Sequence, residues 1–478
     1  MSAATHLRSP RASGPFVVLG GGPCGLAAAA ELADAGHRPI VLEREPIVGG
    51  LCATHAYEGW RFDLGGHRFV SGDAELSQRL ERLLGDDLLE QERRSVILHE
   101  GRRFRYPLDA RDLIENLGWR ENARALAGFA RAYVRRAIRP REDRSFEDWV
   151  VARFGRPLYD TFFGPYTHKL WGIDPRRISA DWAAERISLL HLGDAALRMA
   201  GLRRSAVRTY ARRYLYPRFG MGQIYSRIAD EVRAKGGEVR TGARVVGLET
   251  AGDRVVAVRF ESSRGAERVP VGEVLATAPL TDVARWLRPD VRVPELRFRA
   301  LVFLVLFLER RDFSDNTWMY VASRDLTMSR IQEPKRRSAW MAPEGRTSIL
   351  LEIPCDVGDA TWRASTDELK ARMLAELGVL GFRVDDVLGA TSVRVEHGYP
   401  VYHLDYDRER RALLREVERF RNVRVAGRQG LFRYVFMDAA MQMGAEAARQ
   451  MMRGEPGGRG IDAIGRATAV VETRAITA

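Results

Sequence analysis

Cysteine is scarce. Cys24, Cys52 and Cys355 are the only three in 478 residues, and none stands in a C-x-x-C pair, so a disulfide framework and a zinc site are both set aside. Lysine is scarcer still for its charge class: all but four of the 76 basic residues are arginine, the exceptions being Lys169, Lys235, Lys335 and Lys370. So one-sided a choice reads as a coding bias, which discounts the formal net charge of +13 as evidence of a partner. A solvated arginine-rich surface accounts for it; acidic ligands or an anionic membrane face are what it would otherwise serve. No recognition helix, zinc finger or basic-aromatic repeat accompanies the charge, so no nucleic-acid partner is expected. Long apolar runs are missing too. The longest, Leu301–Leu308, has the length of a buried strand and falls short of the ~18–20 residues that span a bilayer. Met1–Pro15 lacks the apolar core of a signal peptide and reads as a disordered lead-in, so a cytoplasmic location is expected. No H-E-x-x-H, G-x-S-x-G or EF-hand pattern occurs, and no metal site is expected.

What remains is ordinary globular usage, 45% hydrophobic and 29% charged, in a chain long enough for two or three lobes at ~100–200 residues each. No repeat of period 20–50 is visible. The pattern predicts a strand at Phe16–Leu19, a glycine turn, an alanine-rich helix at Leu26–Ala35 and a second strand at Pro39–Leu42. From about Asp73 to Arg213 it turns helical and arginine-rich, with few strand signals. Strand signals return at Glu238–Val246, Arg254–Phe260, Glu273–Thr277, Leu301–Leu308 and Ser348–Ile353, followed by a helix over Asp367–Leu377. The last ordered unit runs from Val423 to about Arg453 as strand, turn and helix.

Gly20-Gly21-Gly22-Pro23-Cys24-Gly25 matches G-x-G-x-x-G. The hexapeptide alone is weak, but it follows an apolar strand and opens a helix. Glu43 also closes the next strand, where a carboxylate accepts hydrogen bonds from an adenosine ribose. Gly20, Gly22 and Gly25 let main chain approach a pyrophosphate at a helix N-terminus. Two further glycine pairs follow, Gly49-Gly50 and Gly65-Gly66, the latter leading into His67. No second strand-linked G-x-G-x-x-G occurs, which argues against a separate nicotinamide domain.

With these glycines the sequence resembles the FAD superfamily of amine oxidases, protoporphyrinogen oxidases and UDP-galactopyranose mutases. The resemblance covers Phe16 to Arg453 and implies FAD as cofactor. It also implies that Gly49, Gly50, Gly65 and Gly66 run along the flavin, with His67 near the ring. The closing unit, Gly427-Arg428-Gln-Gly430-Leu-Phe432-Arg433-Tyr434 with Met437-Asp438, is similar to the mutases' G-R-x-G-x-[aromatic]-[basic]-Y…M-D. There it implies Gly427, Asp438 and Met441 at the cofactor and Arg428 and Tyr434 at a substrate diphosphate. An arginine that merely pairs with a carboxylate of the cleft wall is the other reading of Arg428. Tyr166-Thr-His-Lys169-Leu-Trp171-Gly-Ile-Asp-Pro175 resembles the mutase stretch Y-T-x-K-x-W-G-x-x-P, which implies that Tyr166, Lys169 and Trp171 contact substrate. A tryptophan packed in a helical core is the alternative for Trp171. Tyr399-Pro-Val-Tyr402 is shared by mutases and protoporphyrinogen oxidases, and Tyr402 is a substrate-side expectation. One departure stands out. Where the mutases carry R-I-P-V-R with a second diphosphate arginine, this chain has Arg186-Ile-Ser-Leu-Leu190.

The fold expected is α/β, a Rossmann-type FAD domain with a parallel sheet, interleaved with a helical and mixed-sheet substrate domain. Its boundaries are a lead-in 1–15, FAD parts 16–75, 214–290 and 399–453, a helical insert 76–213, a substrate sheet and helix 291–398, and a loose tail 454–478. The resemblance implies a flavin oxidoreductase acting on a polar, phosphate- or nucleotide-linked sugar, by hydride transfer to flavin N5 or by mutase-like attack of N5 on an anomeric carbon. Dehydrogenation of an apolar or amine substrate is the rival, and a non-catalytic FAD-bound scaffold a third reading. The basic stretch Leu197–Arg213 is either a solvated face or a contact with anionic membrane.

Overall fold

The computed structural model describes residues 14–106, 110–139, 141–187, 213–455, 457 and 459–467. The lead-in to residue 13, the basic stretch 197–212 and Leu190 lie outside them.

Five short parallel strands form the first sheet, in the order Val423–Val425, Glu273–Ala276, Phe16–Leu19, Ile40–Leu42 and Glu238–Arg240. They come from the start, middle and end of the chain. The central strand is apolar throughout, with Val17 and Val18 fully buried, as a parallel strand covered on both faces requires. The helix Pro23–Asp34 follows it, with proline at its first position and a buried face of alanines and leucines. This helix lies against the later helix Met437–Arg453. The approach is so close that a Cβ on Gly444 would run into the Cys24 carbonyl oxygen.

The second sheet is mixed and has seven strands, ordered Val387–Pro400, Phe298–Leu308, Thr347–Cys355, Arg330–Gln332, Trp318–Val321, Ser95–His99 and Arg102–Arg105. Its second strand in that order, Phe298–Leu308, contains the apolar run that the sequence marks out. One face of Phe298–Leu308 packs on the helix Thr366–Val379 through Val302, Leu304 and Leu306, and the other packs Phe303 and Phe307 towards Trp60 and Phe62.

Two expectations are corrected. The stretch 76–213 is not purely helical, because it contributes the strands Leu88–Glu92, Ser95–His99 and Arg102–Arg105. Arg102–Arg105 is an arginine-rich edge strand and Leu88–Glu92 carries two glutamates, while Ser95–His99 lies inside the second sheet between Arg102–Arg105 and Trp318–Val321, so none of them shows a long apolar alternation. The tail is not loose from residue 454: Arg459–Ala467 is a helix with Ile461 fully buried. Asp462 anchors it to Arg410 at 3.1 Å and to Arg433 at 3.5 Å. The long strand Val387–Pro400 also goes beyond the sequence reading. Its polar, half-exposed residues hide the period of two.

Candidate active site

The first glycine turn is shaped by contacts that admit no side chain. Gly20 has φ +109°, and a Cβ on Gly25 would collide with the Gly20 carbonyl oxygen. Gly22 faces Gly50 across the turn, where a Cβ on Gly50 would lie 3.3 Å from the Gly22 Cα. The two glycine segments are tied together, Gly49 N donating to Gly21 O at 2.8 Å. Glu43 is buried, with its oxygens accepting from Gly21 N at 2.6 Å and Glu45 N at 2.8 Å. Burial pushes its carboxyl above the usual range. Two backbone amides leave a carboxylate further lone pairs for sugar hydroxyls.

At the helix start, Gly22 caps the backbone without a side-chain hydrogen bond, so first-turn amides are free to meet an anion. These features fit a dinucleotide: bare peptide for the pyrophosphate, a buried carboxylate for the ribose. Gly20, Gly22, Gly25 and Glu43 would hold the adenosine end.

Next to this turn lies a cleft of about 1100 Å³, its open mouth included. Leu51, Gly65, Gly66, His67, Arg428, Tyr434 and Asp438 lie on its wall, with Phe303, Tyr320, Arg330 and Tyr399 from the second sheet. The strand before the Gly65–His67 loop is pinned by buried Asp63, which accepts from Thr54 Oγ1 at 2.6 Å, Tyr216 OH at 2.5 Å and Met221 N at 3.2 Å. Among the described residues, three polar atoms of cleft-wall residues are buried without a hydrogen-bond partner, His67 Nδ1, Arg330 Nε and Asp438 Oδ1. Such orphans are what a bound group would satisfy. Burial first, then the positive charges of Arg428, Arg337 and Arg330, push His67 down to about 3, so its imidazole is neutral.

Arg428 is the cation that stands out. Its Nη2 donates to Val435 O at 2.9 Å, and its guanidinium lies over the Tyr434 ring, 4.2 Å from the centroid. Among the described residues no carboxylate lies within ion-pair distance of it. The alternative in which Arg428 is spent on a wall carboxylate is therefore not what the structure shows. Arg433, five residues on, is spent in that way, on Glu185 at 3.1 Å. Arg330 faces fully buried Glu352 at 3.4 Å, and Glu352 accepts from Tyr399 OH at 3.0 Å.

The family model described as flavin-containing amine oxidoreductase matches residues 23–452. The chain belongs to that family. As a member of the flavin-containing amine oxidoreductases it uses FAD, and its fold is that of FAD-dependent oxidoreductases. Among solved structures it is similar to reduced UDP-galactopyranose mutase, with a TM-score of 0.77 and 20% identity over 92% of this chain and 96% of that one. A protein of Exiguobacterium sp. 255-15, provisionally assigned as a protoporphyrinogen oxidase, gives 0.70 and 18% over 92% and 99%. Among curated proteins it is 25% identical over 315 residues to the 15-cis-phytoene desaturase of Arabidopsis thaliana, 60% of this chain and 52% of that one. The chain spans about half the length of that relative.

The structure does not bring every expected residue to the cleft. Gly49 and Gly50 lie at the glycine turn, and Gly427 packs on Cys24 at the start of the first helix, a Cβ there meeting Cys24 Cβ at 3.1 Å. Met441 is core, 3% exposed. Trp171 is fully buried behind the wall, edge-on to Trp182 at 4.6 Å and to Tyr399 at 5.8 Å; the helical-core alternative is the one observed. Tyr402 is stacked on Tyr406, and its hydroxyl accepts from Tyr434 N at 2.8 Å, which holds the cleft tyrosine from behind. Tyr166 sits edge-on to Tyr320 at 6.2 Å. Lys169 is corrected outright: its ammonium donates to the Val321, Ser323 and Met328 carbonyls, leaving no donor for a substrate.

Sequence reasoning misses Arg330, Glu352, Tyr320 and Phe303. One signal was available, a lone glutamate inside the apolar run Ser348–Ile353, since a buried carboxylate needs a partner. Cys24 and Cys52 are buried thiols, and burial pushes Cys52 up to about 12, which fits no thiolate chemistry. Among the described residues no helix is long and apolar enough to cross a membrane.

Proposed function

We propose that this flavoenzyme acts on a polar substrate that carries a phosphate, a phosphate- or nucleotide-linked sugar being the class the cleft suits. The observation that carries the reading is Arg428, a cation in the cleft wall with no carboxylate beside it and its plane set by the Tyr434 ring. A guanidinium so placed matches the oxygens of a phosphate in a bidentate pair. The similarity of fold to UDP-galactopyranose mutase supports the same direction. When bound, the flavin supplies either hydride acceptance or, reduced, a nucleophilic ring nitrogen. The chain's own part is to orient and to exclude charge. Neutral His67 offers its unpartnered Nδ1 to a hydroxyl or to the cofactor edge. Tyr399, tied to Glu352, fixes the opposite wall.

A second reading rests on the apolar members of the same wall, Leu301, Phe303, Phe69 and Phe436, which suit dehydrogenation of an apolar substrate. Turnover separates the two. The holoenzyme is incubated with UDP-sugars, tetrapyrroles and amines under air, and again without oxygen after dithionite reduction. Conversion of a UDP-sugar in either state is the expected result, only the reduced state marking isomerisation. Flavin bleaching by a tetrapyrrole or amine, with peroxide formed and UDP-sugars inert, would overturn it.

A further inference from the structure

Among the described residues, the helix Trp119–Ile138 packs on the molecule by one side only. Inward, it lies on the helix Phe146–Phe154 and on Arg156–Leu158, so closely that a Cβ on Gly128 would come within 2.5 Å of Pro157 Cδ. Outward, Trp119, Ala123, Leu126, Ala130, Tyr133 and Ala137 recur at alternating spacings of four and three, which keeps them in one stripe. That stripe is bare. Trp119 is 76% exposed, Leu126 68% and Tyr133 70%, and beside them Val134 is 52% and Ile138 69% exposed. Other exposed apolar side chains are spread along the chain, as is normal for a surface; here five stand on one helix.

Charge on the helix beside the stripe is predominantly positive. Arg120, Arg124, Arg131, Arg135 and Arg136 flank it. Among the described residues, Arg124, Arg131, Arg135 and Arg136 have no ion-pair partner. The helix has a single carboxylate, Glu121, and that one is held by Arg102 at 2.8 Å and Gly118 N at 2.8 Å. Arg124, Arg131 and Arg135 continue into a groove against the next helix, in which the carboxylates Asp143 and Glu147 are already paired with Arg153 and Arg156.

We propose that this helix docks the enzyme on an anionic lipid surface, lying in the interface with its Trp-Leu-Tyr stripe among the acyl chains and its arginines at the phosphate headgroups. Trp and Tyr favour that boundary, arginine stems reach from it to water, and anionic headgroups supply the missing counter-charge. A second copy of the chain would instead set arginine against arginine. The inference does not depend on which substrate the cleft takes.

The test uses the full-length holoenzyme and vesicles of phosphatidylcholine with and without phosphatidylglycerol. All three native thiols are buried, so Tyr133→Cys offers one reactive position for an environment-sensitive dye, and Val379→Cys, on another exposed surface, serves as control. The expected result is flotation with phosphatidylglycerol vesicles that weakens with salt. Trp119→Glu with Leu126→Glu should reduce partitioning roughly tenfold or more, with the flavin spectrum unchanged. The dye at 133 should shift to shorter wavelength on vesicles, and the dye at 379 should not. No partitioning overturns the proposal. So does a dimer that Leu126→Glu dissociates, or a thiol at 133 that stays unreactive without lipid because residues 188–212 of the chain cover it.

Discussion

The Lys169 ammonium is held by three main-chain carbonyls, those of Val321, Ser323 and Met328, at 2.9, 2.5 and 3.2 Å. Burial lowers its pKa to about 8. Lys169→Met leaves those carbonyls without a donor, so urea unfolding should show a loss of about 1–3 kcal/mol; flavin content at low temperature should stay that of the native enzyme. His67 makes a pH prediction. Its folded pKa of about 3 lies below the ordinary 6.5, so between those values the unfolded chain binds a proton that the folded one refuses. Stability therefore falls as pH drops from 6.5 towards 3, and rises again with pH. His67→Gln removes this contribution, and the fall in unfolding free energy across that window, followed by denaturant titration at several pH values, should be shallower than in the parent.

Elements carry the cofactor site through backbone contact more than through side chains. Gly25→Val places a branched side chain against the Gly20 carbonyl, which opens the turn. The variant should fold around its second sheet and yet lose bound FAD, read as absorbance per protein after gel filtration. Deleting residues 459–478 removes Asp462 from Arg410, which is fully buried, and from Arg433. Each keeps one other carboxylate, Asp407 and Glu185 respectively, so the loss should be about 1.5–3 kcal/mol in thermal or urea unfolding; no change would mean that the helix is a passenger. The glycine turn, Glu43 and the central strands were legible because each needs a residue type that little else can replace. The pieces that escaped were legible to nothing local. Ser95–His99 is a strand because it meets Trp318–Val321 more than two hundred residues later, and Arg459–Ala467 is ordered by ion pairs to distant arginines. Lys169 and Trp171 show the converse. A motif names residues that belong near a site, but only packing tells whether they face the cleft or hold its wall from behind.

At the scale of the whole molecule, one chain passes through the parallel sheet three times and returns through the second sheet, so the cleft is walled by both. The segment Arg428–Asp438 follows the first sheet's strand Val423–Val425, the loop Gly65–His67 follows Trp60–Asp63 of a separate two-stranded hairpin, and Phe303, Tyr320, Arg330 and Tyr399 come from the second sheet. Such a site is one where a flavin edge and a substrate can meet away from water. On the function proposed above, substrate class rests on Arg428, which among the described residues has no carboxylate within ion-pair distance. The most direct measurement is a titration of the oxidised FAD enzyme with uridine diphosphate, followed through the visible flavin bands, in the parent and in Arg428→Met. A saturable perturbation that weakens roughly ten- to a hundredfold in the variant, about 1.5–3 kcal/mol of charge-assisted hydrogen bonding, is the predicted result. Equal affinity in both proteins, or no perturbation by any phosphorylated ligand, would contradict it.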